Sequence, residues 1–351
     1  MKRLCIALVA ISMWSTACGS DSKPAVEQKP ASLTVVAYDS FTIKPEAFKA
    51  FTDATGIAVK VVTAGDAGTM LAKAELTAGN PEGDVMWGID NTLLARAMSK
   101  KVFSPHVSAE LANLTPSATA LVPNHDVTPV DEGDVCVNFD VAWFSGKHLE
   151  PPSSLADLTK PAFKDLLVVE NPATSSTGLA FMLATVAQSG EAGWQQYWKD
   201  LRANGVQVVD SWDQAYYEQF SGSTGKGPKP LVVSYGSSPP AEVIFADPRP
   251  DSAPTGVVGS TCFHQIEFAG VLRGTKYPTA AGKLVDYFVS KPFQELLPMN
   301  LFVYPVRADA TMPQEFVDLA VRPDNPLVVS PADIEAKSKD WIATWTETVL
   351  R

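Results

Sequence analysis

The stretch from residue 33 to residue 98 decides the fold, and it opens with the apolar run LTVVA at 33–37. Two similar runs follow, IAVKVV at 57–62 and DVMWGI at 84–89. Short apolar runs rich in β-branched residues are typical of buried strands. Helices are predicted between and after these strands, at residues 45–55, 69–78 and 93–98. This strand–helix alternation predicts an α/β fold with a largely parallel sheet.

Polar residues follow each of the three strands. In an α/β sheet, ligands bind at the carboxyl ends of the strands. Those ends carry the segments Tyr38-Asp39-Ser40, Gly65-Asp66-Ala67 and Asp90-Asn91. The aspartates among them can balance a cation, although solvated loops and helix caps have the same composition.

A second α/β unit follows, and it ends in a mostly helical segment from residue 279 onward. Its strands are predicted at residues 134–139, 166–170, 206–209, 231–234 and 263–272. The segment TSSTG at 174–178 leads into a helix, and such a helix start suits a phosphate or a carboxylate. Plain N-capping explains the same hydroxyls. Aromatic residues near strand ends can stack on a flat or cationic ring or pack in the core: Trp212, Tyr216, Tyr217 and Tyr235.

The composition excludes several functional classes. The chain has 351 residues, 46% of them hydrophobic and 19% charged, which is typical of folded protein and long enough for two domains. Its net charge of −11 argues against nucleic-acid binding. It lacks the GxSxG, HExxH, P-loop and GxGxxG motifs, and its four histidines have no metal-ligand spacing. We therefore expect no catalysis, no metal and no cofactor.

The N-terminus has the pattern of an export signal. Lys2 and Arg3 precede an apolar stretch at 4–14 that is too short to span a bilayer. The following Ser-Thr-Ala-Cys, ending at Cys18, resembles a bacterial lipobox. We expect a signal peptide at 1–17, lipidation of Cys18, a tether at 18–32 and an extracytoplasmic protein held to the bacterial membrane by lipid only. The alternative is an ordinary signal peptide with a stray cysteine.

Several segments, taken in order from residue 33 to residue 351, resemble the periplasmic thiamine-binding proteins of ABC transporters. No single segment is specific, but their order and spacing are. The matching segments are AYDSF (37–41), GDAGTML (65–71), GIDNTLL (88–94), NPATSSTGLAF (171–181), SWDQAY (211–216), VVSYGSSP (232–239) and YPV (304–306).

The resemblance implies a two-lobed periplasmic-binding-protein fold of type II with two interdomain crossover strands. Lobe 1 would comprise 33–135 and about 264–351, and lobe 2 would comprise 136–263. Thiamine or a thiamine phosphate would bind between the lobes of a monomer that delivers it to the permease subunits. The implied ligand contacts are Tyr38, Asp66, Ala67, Ser175, Ser176, Trp212, Tyr235, Gly236, Ser237 and Ser238.

The implied contacts suit the chemistry of thiamine. Its pyrimidine and its cationic thiazolium would stack on Trp212 and Tyr38, beside the Asp66 carboxylate. The serine pairs at 175–176 and 237–238 would hold its phosphate esters.

This sequence departs from the family pattern at two places, so a ligand related to thiamine is an alternative to thiamine itself. Pro240-Ala241 stands where the family has an aromatic residue. Leu301-Phe302-Val303 stands where it has a tryptophan, so either Phe302 replaces that ring or the pocket is less aromatic.

Two other functions are alternatives to thiamine binding. Ferric-binding proteins of this superfamily ligate iron with adjacent tyrosines, as Tyr216 and Tyr217 would, although the first loop lacks their histidine. An exported hydrolase is the other alternative.

The resemblance places Cys136 and Cys262 on neighbouring crossover strands and so implies a disulfide; two buried thiols are the alternative.

Overall fold

The computed structural model describes residues 28–224 and 226–351. The predicted signal peptide at 1–17 and the lipidation site Cys18 lie outside the described residues. Within the described residues, no helix combines the length and apolar character that a membrane span needs.

The strands belong to one mixed sheet. They are β1 Ser32–Ala37, β2 Ala58–Thr63, β3 Val85–Asp90, β4 Phe103–Ser104, β5 Thr128–Asp140, β6 Leu167–Glu170, β7 Gln207–Val209, β8 Leu231–Tyr235, β9 Thr255–Leu272 and β10 Tyr304–Pro305.

The helices lie between and after these strands along the chain. The α-helices are α1 Lys49–Thr55, α2 Ala67–Leu76, α3 Leu94–Ser99, α4 Pro116–Thr119, α5 Val141–Lys147, α6 Ser176–Ala203, α7 Pro239–Ile244, α8 Pro278–Phe288, α9 Lys291–Gln294, α10 Leu297–Asn300, α11 Gln314–Leu319 and α12 Pro331–Val349. Short 3₁₀ helices span Pro45–Phe48, Leu111–Asn113, Leu155–Thr159 and Pro161–Phe163, and a π-helix spans Gln214–Gln219.

The opening strand–helix alternation forms as the sequence predicts. β1 pairs in parallel with β2 and β3. α1 ends at Thr55 and is capped by Gly56, whose backbone is left-handed at φ 66°. α2 begins at Ala67, two residues before the predicted start, because the Asp66 side chain caps it by accepting the Ala67 N–H. It ends at Leu76, two residues before the predicted end.

The prediction of a largely parallel sheet is wrong for the centre of the sheet. The strand order is β2-β1-β3-β9-β5-β8-β6-β7, and β5 and β9 run antiparallel to each other and to their other neighbours. Only the two flanks are parallel. The local apolar runs identify strands, but they do not show which distant strand pairs with which.

The two long strands connect the halves of the sheet. β5 and β9 pair with each other from Thr128↔Ala269 to Asp140↔Thr255, while β9 also pairs with β3 and β5 also pairs with β8. Both strands therefore belong to both halves. The division into 33–135 with 264–351 and 136–263 stays a prediction, and this pairing accommodates it.

A disulfide joins these two strands. Cys136 of β5 and Cys262 of β9 are bonded at an S–S distance of 1.98 Å, and both are buried. This is the bond that the family resemblance implies.

Candidate ligand-binding site

A cavity opens where the two halves of the sheet meet. It encloses about 900 Å³, including its open mouth, and its walls come from both halves of the chain. Its lining residues are Tyr38, Ser40, Thr42, Asp131, Gly133, Trp212, Tyr216, Tyr217, Tyr235, Ser238, Ala241, Phe245, Gln265, Glu267, Leu301, Phe302 and Val303.

One wall of the cavity is a stack of aromatic rings. The Trp212 ring lies on Tyr216 with centroids 4.8 Å apart and planes 10° apart, and Tyr217 meets Trp212 edge-on at 5.3 Å. The Trp212 indole N–H donates to Ser234 Oγ at 3.0 Å, and Ser234 Oγ lies 2.8 Å from Ser238 Oγ. These contacts fix the indole orientation, so its face can take a flat ring.

Tyr38 forms another part of the wall, and a glycine makes room for it. A Cβ atom on Gly88 would lie 2.2 Å from Tyr38 Cδ1, and Gly88 has a φ of 110°, which favours glycine. The Tyr38 hydroxyl donates to Glu267 Oε2 at 3.4 Å. The predicted contact Tyr235 also lines the cavity.

Two phenylalanines line the mouth of the cavity. Phe245, which is 66% exposed, meets Phe302 edge-on with ring centroids 5.3 Å apart. Phe302 has a φ of 56°, a left-handed conformation that is unusual for a bulky residue. The Phe302 ring thus stands on the cavity wall, and Phe245, four residues after Ala241, supplies a second ring.

Two buried carboxylates lie at the floor of the cavity. Asp131 of β5 and Glu267 of β9 are directly opposite in the antiparallel pairing, and they are 1% and 5% exposed. The Trp87 indole N–H donates to Asp131 Oδ2 at 3.2 Å. Burial raises the pKa of Asp131 to about 7 and raises the pKa of Glu267 well above its usual range, where the neighbouring Asp131 charge adds to the effect.

The cavity therefore favours positive charge. Among the lining residues that the structure describes, none is a lysine, arginine or histidine. Sequence reasoning missed Asp131 and Glu267 as site residues. The one usable signal was in FHQIEFAGVL at 263–272, where Gln265 and Glu267 alternate with apolar residues inside a strand.

Asp66 lies behind the aromatic wall and does not line the cavity. Its Oδ1 accepts the Ala67 N–H at 2.6 Å, and its Oδ2 accepts the backbone N–H of Trp212 at 2.9 Å. Burial raises the pKa of Asp66 to about 6, although these bonds and one from Ser175 oppose the shift. Asp66 therefore holds the Trp212 segment in place.

The two predicted serine pairs contribute one residue to the cavity. Ser175 Oγ lies 2.8 Å from Thr177 Oγ1, and Ser176 Oγ accepts from Gln265 Nε2 at 3.4 Å, so both hydroxyls have internal partners. Ser238 lines the cavity, whereas Ser237 is buried away from it.

Gly236 and Ala67 are also placed outside the cavity lining. The Gly236 N–H donates to the Asp134 carbonyl at 2.8 Å, and its carbonyl accepts from Val321 N–H at 2.7 Å. Ala67 is buried at the start of α2.

The adjacent tyrosines both reach the cavity, but their geometry is not that of a ready metal site. The Tyr216 and Tyr217 rings are 87° apart in orientation, and Tyr216 is buried under Trp212. Burial raises the pKa of both phenols, and nearby Glu242 adds to this, which disfavours the phenolate. Within the described residues, no group of three or more His, Cys, Asp or Glu side chains is arranged to hold a metal ion.

Known proteins are similar to this chain in sequence and fold over nearly their whole length. Residues 83–238 match the family of bacterial extracellular solute-binding proteins. The thiamine-binding periplasmic protein of Salmonella typhimurium is 30% identical over 323 residues, which is 91% of this chain and 94% of that protein.

Solved structures give the same assignment for the fold. A periplasmic thiamin binding protein superposes with a TM-score of 0.81 at 27% identity, covering 93% of this chain and 99% of that one. Iron-bound HitA from Pseudomonas aeruginosa superposes with a TM-score of 0.72 at 19% identity, covering 91% and 99%, and this likeness shows the type II binding-protein fold alone. The chain belongs to the family of periplasmic thiamine-binding proteins, among the bacterial extracellular solute-binding proteins.

Proposed function

We propose that this protein captures thiamine outside the cytoplasm and delivers it to the permease of an ABC transporter. The observation that carries the proposal is a cavity with aromatic walls over a buried carboxylate pair and with no basic side chain among its described lining residues. Thiamine combines a flat pyrimidine with a permanently cationic thiazolium, which are the two features such a cavity recognises.

In this arrangement the rings and the charge have separate partners. The faces of Trp212 and Tyr38 stack on the rings of the ligand, and Asp131 and Glu267 lie where its positive charge is balanced. Phe245 and Phe302 line the mouth through which the ligand enters. The ligand is bound and released unchanged, so no residue acts as a catalyst.

The export and anchoring of the protein form the second part of the proposal. Removal of residues 1–17 and lipidation of Cys18 would leave the tether at 18–32 between the membrane and the folded part. The pattern of basic residues, short apolar stretch and small residues before Cys18 supports this. Mass spectrometry of the membrane-extracted protein would detect the lipid on Cys18, and a Cys18→Ser variant should be released from the membrane.

Calorimetric titration with thiamine, its monophosphate and its diphosphate tests the ligand. We expect one thiamine per chain with a Kd of about 1 µM or lower. We also expect thiamine to bind at least as tightly as its phosphates, because the serine pair at 175–176 has internal partners and the cavity floor is acidic. No measurable binding of thiamine would overturn the proposed function.

Iron is the alternative ligand, since Tyr216 and Tyr217 both line the cavity. Loading with ferric citrate distinguishes the two. A visible tyrosinate-to-iron absorption band, lost in Tyr217→Phe, would favour iron, whereas the thiamine proposal expects no such band.

A further inference from the structure

We propose that Asp131 and Glu267 form the cation subsite of the cavity and exchange a shared proton for the positive charge of the ligand. This inference rests on the proposed function, because thiamine is the cation used to test it. It adds the residues that recognise the charge and a measurable product of binding, which is a proton.

The geometry of the pair is the first support. Asp131 and Glu267 are directly opposite on adjacent antiparallel strands, where side chains on one face lie close together. Both line the cavity and both are almost fully buried. Two carboxylates in such contact cannot both stay ionised without a cation, so the empty pair holds one proton.

The groups around the pair do not supply that cation. Asp90 lies behind it on β3, and the hydroxyl of Tyr38 and the ring of Tyr235 face it from the ends of β1 and β8. Asp90 already accepts from Gln265 and from Thr92. These neighbours are acidic or neutral, which raises the pKa of the pair further.

The nearby basic groups contact a different acid. Arg322 pairs with Glu132, the neighbour of Asp131 in the chain, and His264 Nε2 lies 3.8 Å from Glu132 Oε2. The other ring nitrogen of His264 lies 3.1 Å from Asp134. Glu132 and Asp134 thus have partners in the described structure, and the Asp131–Glu267 pair has only the Trp87 and Tyr38 donors.

The exchange balances in charge and atoms. In the empty site one carboxyl carries the proton. When the organic cation enters, that O–H bond breaks, the proton leaves to solvent buffer and the second carboxylate is balanced by the ligand. The net charge of the site is −1 both before and after binding, so the exchange adds no further charge to the buried site. A cation with a flat ring fits this subsite, and a neutral isostere would not release a proton.

Calorimetry of thiamine binding in buffers of different ionisation enthalpy, such as phosphate and Tris at the same pH, measures the protons released. We expect about one proton to be released per thiamine at pH 7.5, where both buffers are effective and the empty pair still holds its shared proton. If the ligand instead took up a proton on binding, the binding enthalpy would change with the ionisation enthalpy of the buffer in the opposite direction. Because binding releases a proton, thiamine affinity should increase about tenfold for each unit by which the pH is raised around pH 7.5.

Two variants test whether the released proton comes from the Asp131–Glu267 pair or from another acidic group. The double variant Asp131→Asn/Glu267→Gln should abolish the proton release, because it removes both carboxyls that can hold the shared proton. Glu132→Gln, on the same strand as Asp131 but outside the cavity lining, should release the same proton as the wild type. If a variant does not fold, the wild-type measurement alone decides.

The outcomes are distinct. Thiamine binding without proton release at pH 7.5 overturns this inference and leaves the proposed function standing. Absence of thiamine binding overturns both. Release that persists unchanged in the folded Asp131→Asn/Glu267→Gln double variant assigns the proton to another group and also overturns the inference.

Discussion

The carboxylate of Asp66 accepts the backbone N–H of Trp212 at 2.9 Å, although 146 residues separate them in the chain. Asp66 follows β2 in the first half of the sheet, and Trp212 follows β7 in the second. The same carboxylate caps α2 through the Ala67 N–H. One side chain therefore ties the start of a helix in one half to the aromatic wall that the other half contributes.

Replacing Asp66 tests this tie. We expect Asp66→Ala to weaken thiamine binding about tenfold, because losing a hydrogen bond to a charged group costs about 1.5 to 3 kcal/mol and the Trp212 segment is then less well held. Calorimetric titration measures it. Asp39→Ala is the matched control, since exposed Asp39 also accepts a backbone N–H, from Gly65 at 3.0 Å, within the first half. Equal affinities for the two variants would contradict the role of Asp66.

The Trp212 face should account for a large share of the affinity. Trp212→Ala removes the stacking surface and is expected to weaken thiamine binding about ten- to thirty-fold, whereas Trp212→Phe keeps a ring and should lose only a few-fold. Thiamine should also quench tryptophan fluorescence less in both variants. Trp143→Phe, which changes a tryptophan outside the cavity lining, should leave both readouts unchanged. A Trp212→Ala variant with wild-type affinity would contradict stacking at this face.

Phe302 allows the contribution of its ring to be separated from the strain of its backbone. Phe302→Ala and Phe302→Gly both remove the ring, so both should weaken binding by a similar factor of about three to ten. At a φ of 56° glycine is relaxed and alanine is not, so the glycine variant should be about 0.5 to 1 kcal/mol more stable in urea unfolding. If the alanine variant were the more stable, the left-handed conformation would not be native.

The sequence predicts the parts of the fold that depend on local pattern. The apolar runs that become β1, β2 and β3 stand between turn residues, so local propensity and burial agree. β5 is different, because its N-terminal part contains Asp131, Glu132 and Gly133, which have low strand propensity. Tertiary pairing with β9 overrides that propensity, and no local pattern indicates such pairing.

The sequence also predicts the candidate site only in part. The family resemblance identified four residues that line the cavity, Tyr38, Trp212, Tyr235 and Ser238, because strand ends with aromatic and hydroxyl residues can be recognised along the chain. The direction of the Asp66 carboxylate, toward Trp212 and away from the cavity, depends on the packing of two distant segments. The facing of Asp131 and Glu267 depends on the register of β5 against β9, which is set by the whole sheet.

The carboxylate pair should make stability depend on pH. The pKa of Asp131 is raised to about 7 in the folded protein, so between about pH 4 and pH 7 the folded state holds a proton that the unfolded chain has lost. The stabilisation is complete below pH 4 and is lost as the pH rises through 7. Asp131→Asn lacks this titration and keeps an oxygen for the Trp87 N–H. The unfolding free energy of the wild type relative to this variant should therefore fall by a few kcal/mol from pH 4.5 to pH 8, as measured by urea unfolding without ligand. A difference that stays constant with pH would contradict the raised pKa.

The Cys136–Cys262 disulfide should contribute strongly to stability, because it closes a loop of 126 residues. The chain-entropy relation gives up to about 5 kcal/mol for a loop of this length, through restriction of the unfolded chain. Urea unfolding of the reduced wild type and of the C136A/C262A variant should show similar losses relative to the oxidised protein. Reductant should leave the variant unchanged, which separates the bond from other effects of the reagent. Thiol titration of the protein lacking residues 1–27 should find no free thiol before reduction and two after it. Two free thiols in the unreduced, denatured protein would contradict the bond, and equal stability of all forms would show that the unfolded chain gains little freedom when the bond is absent.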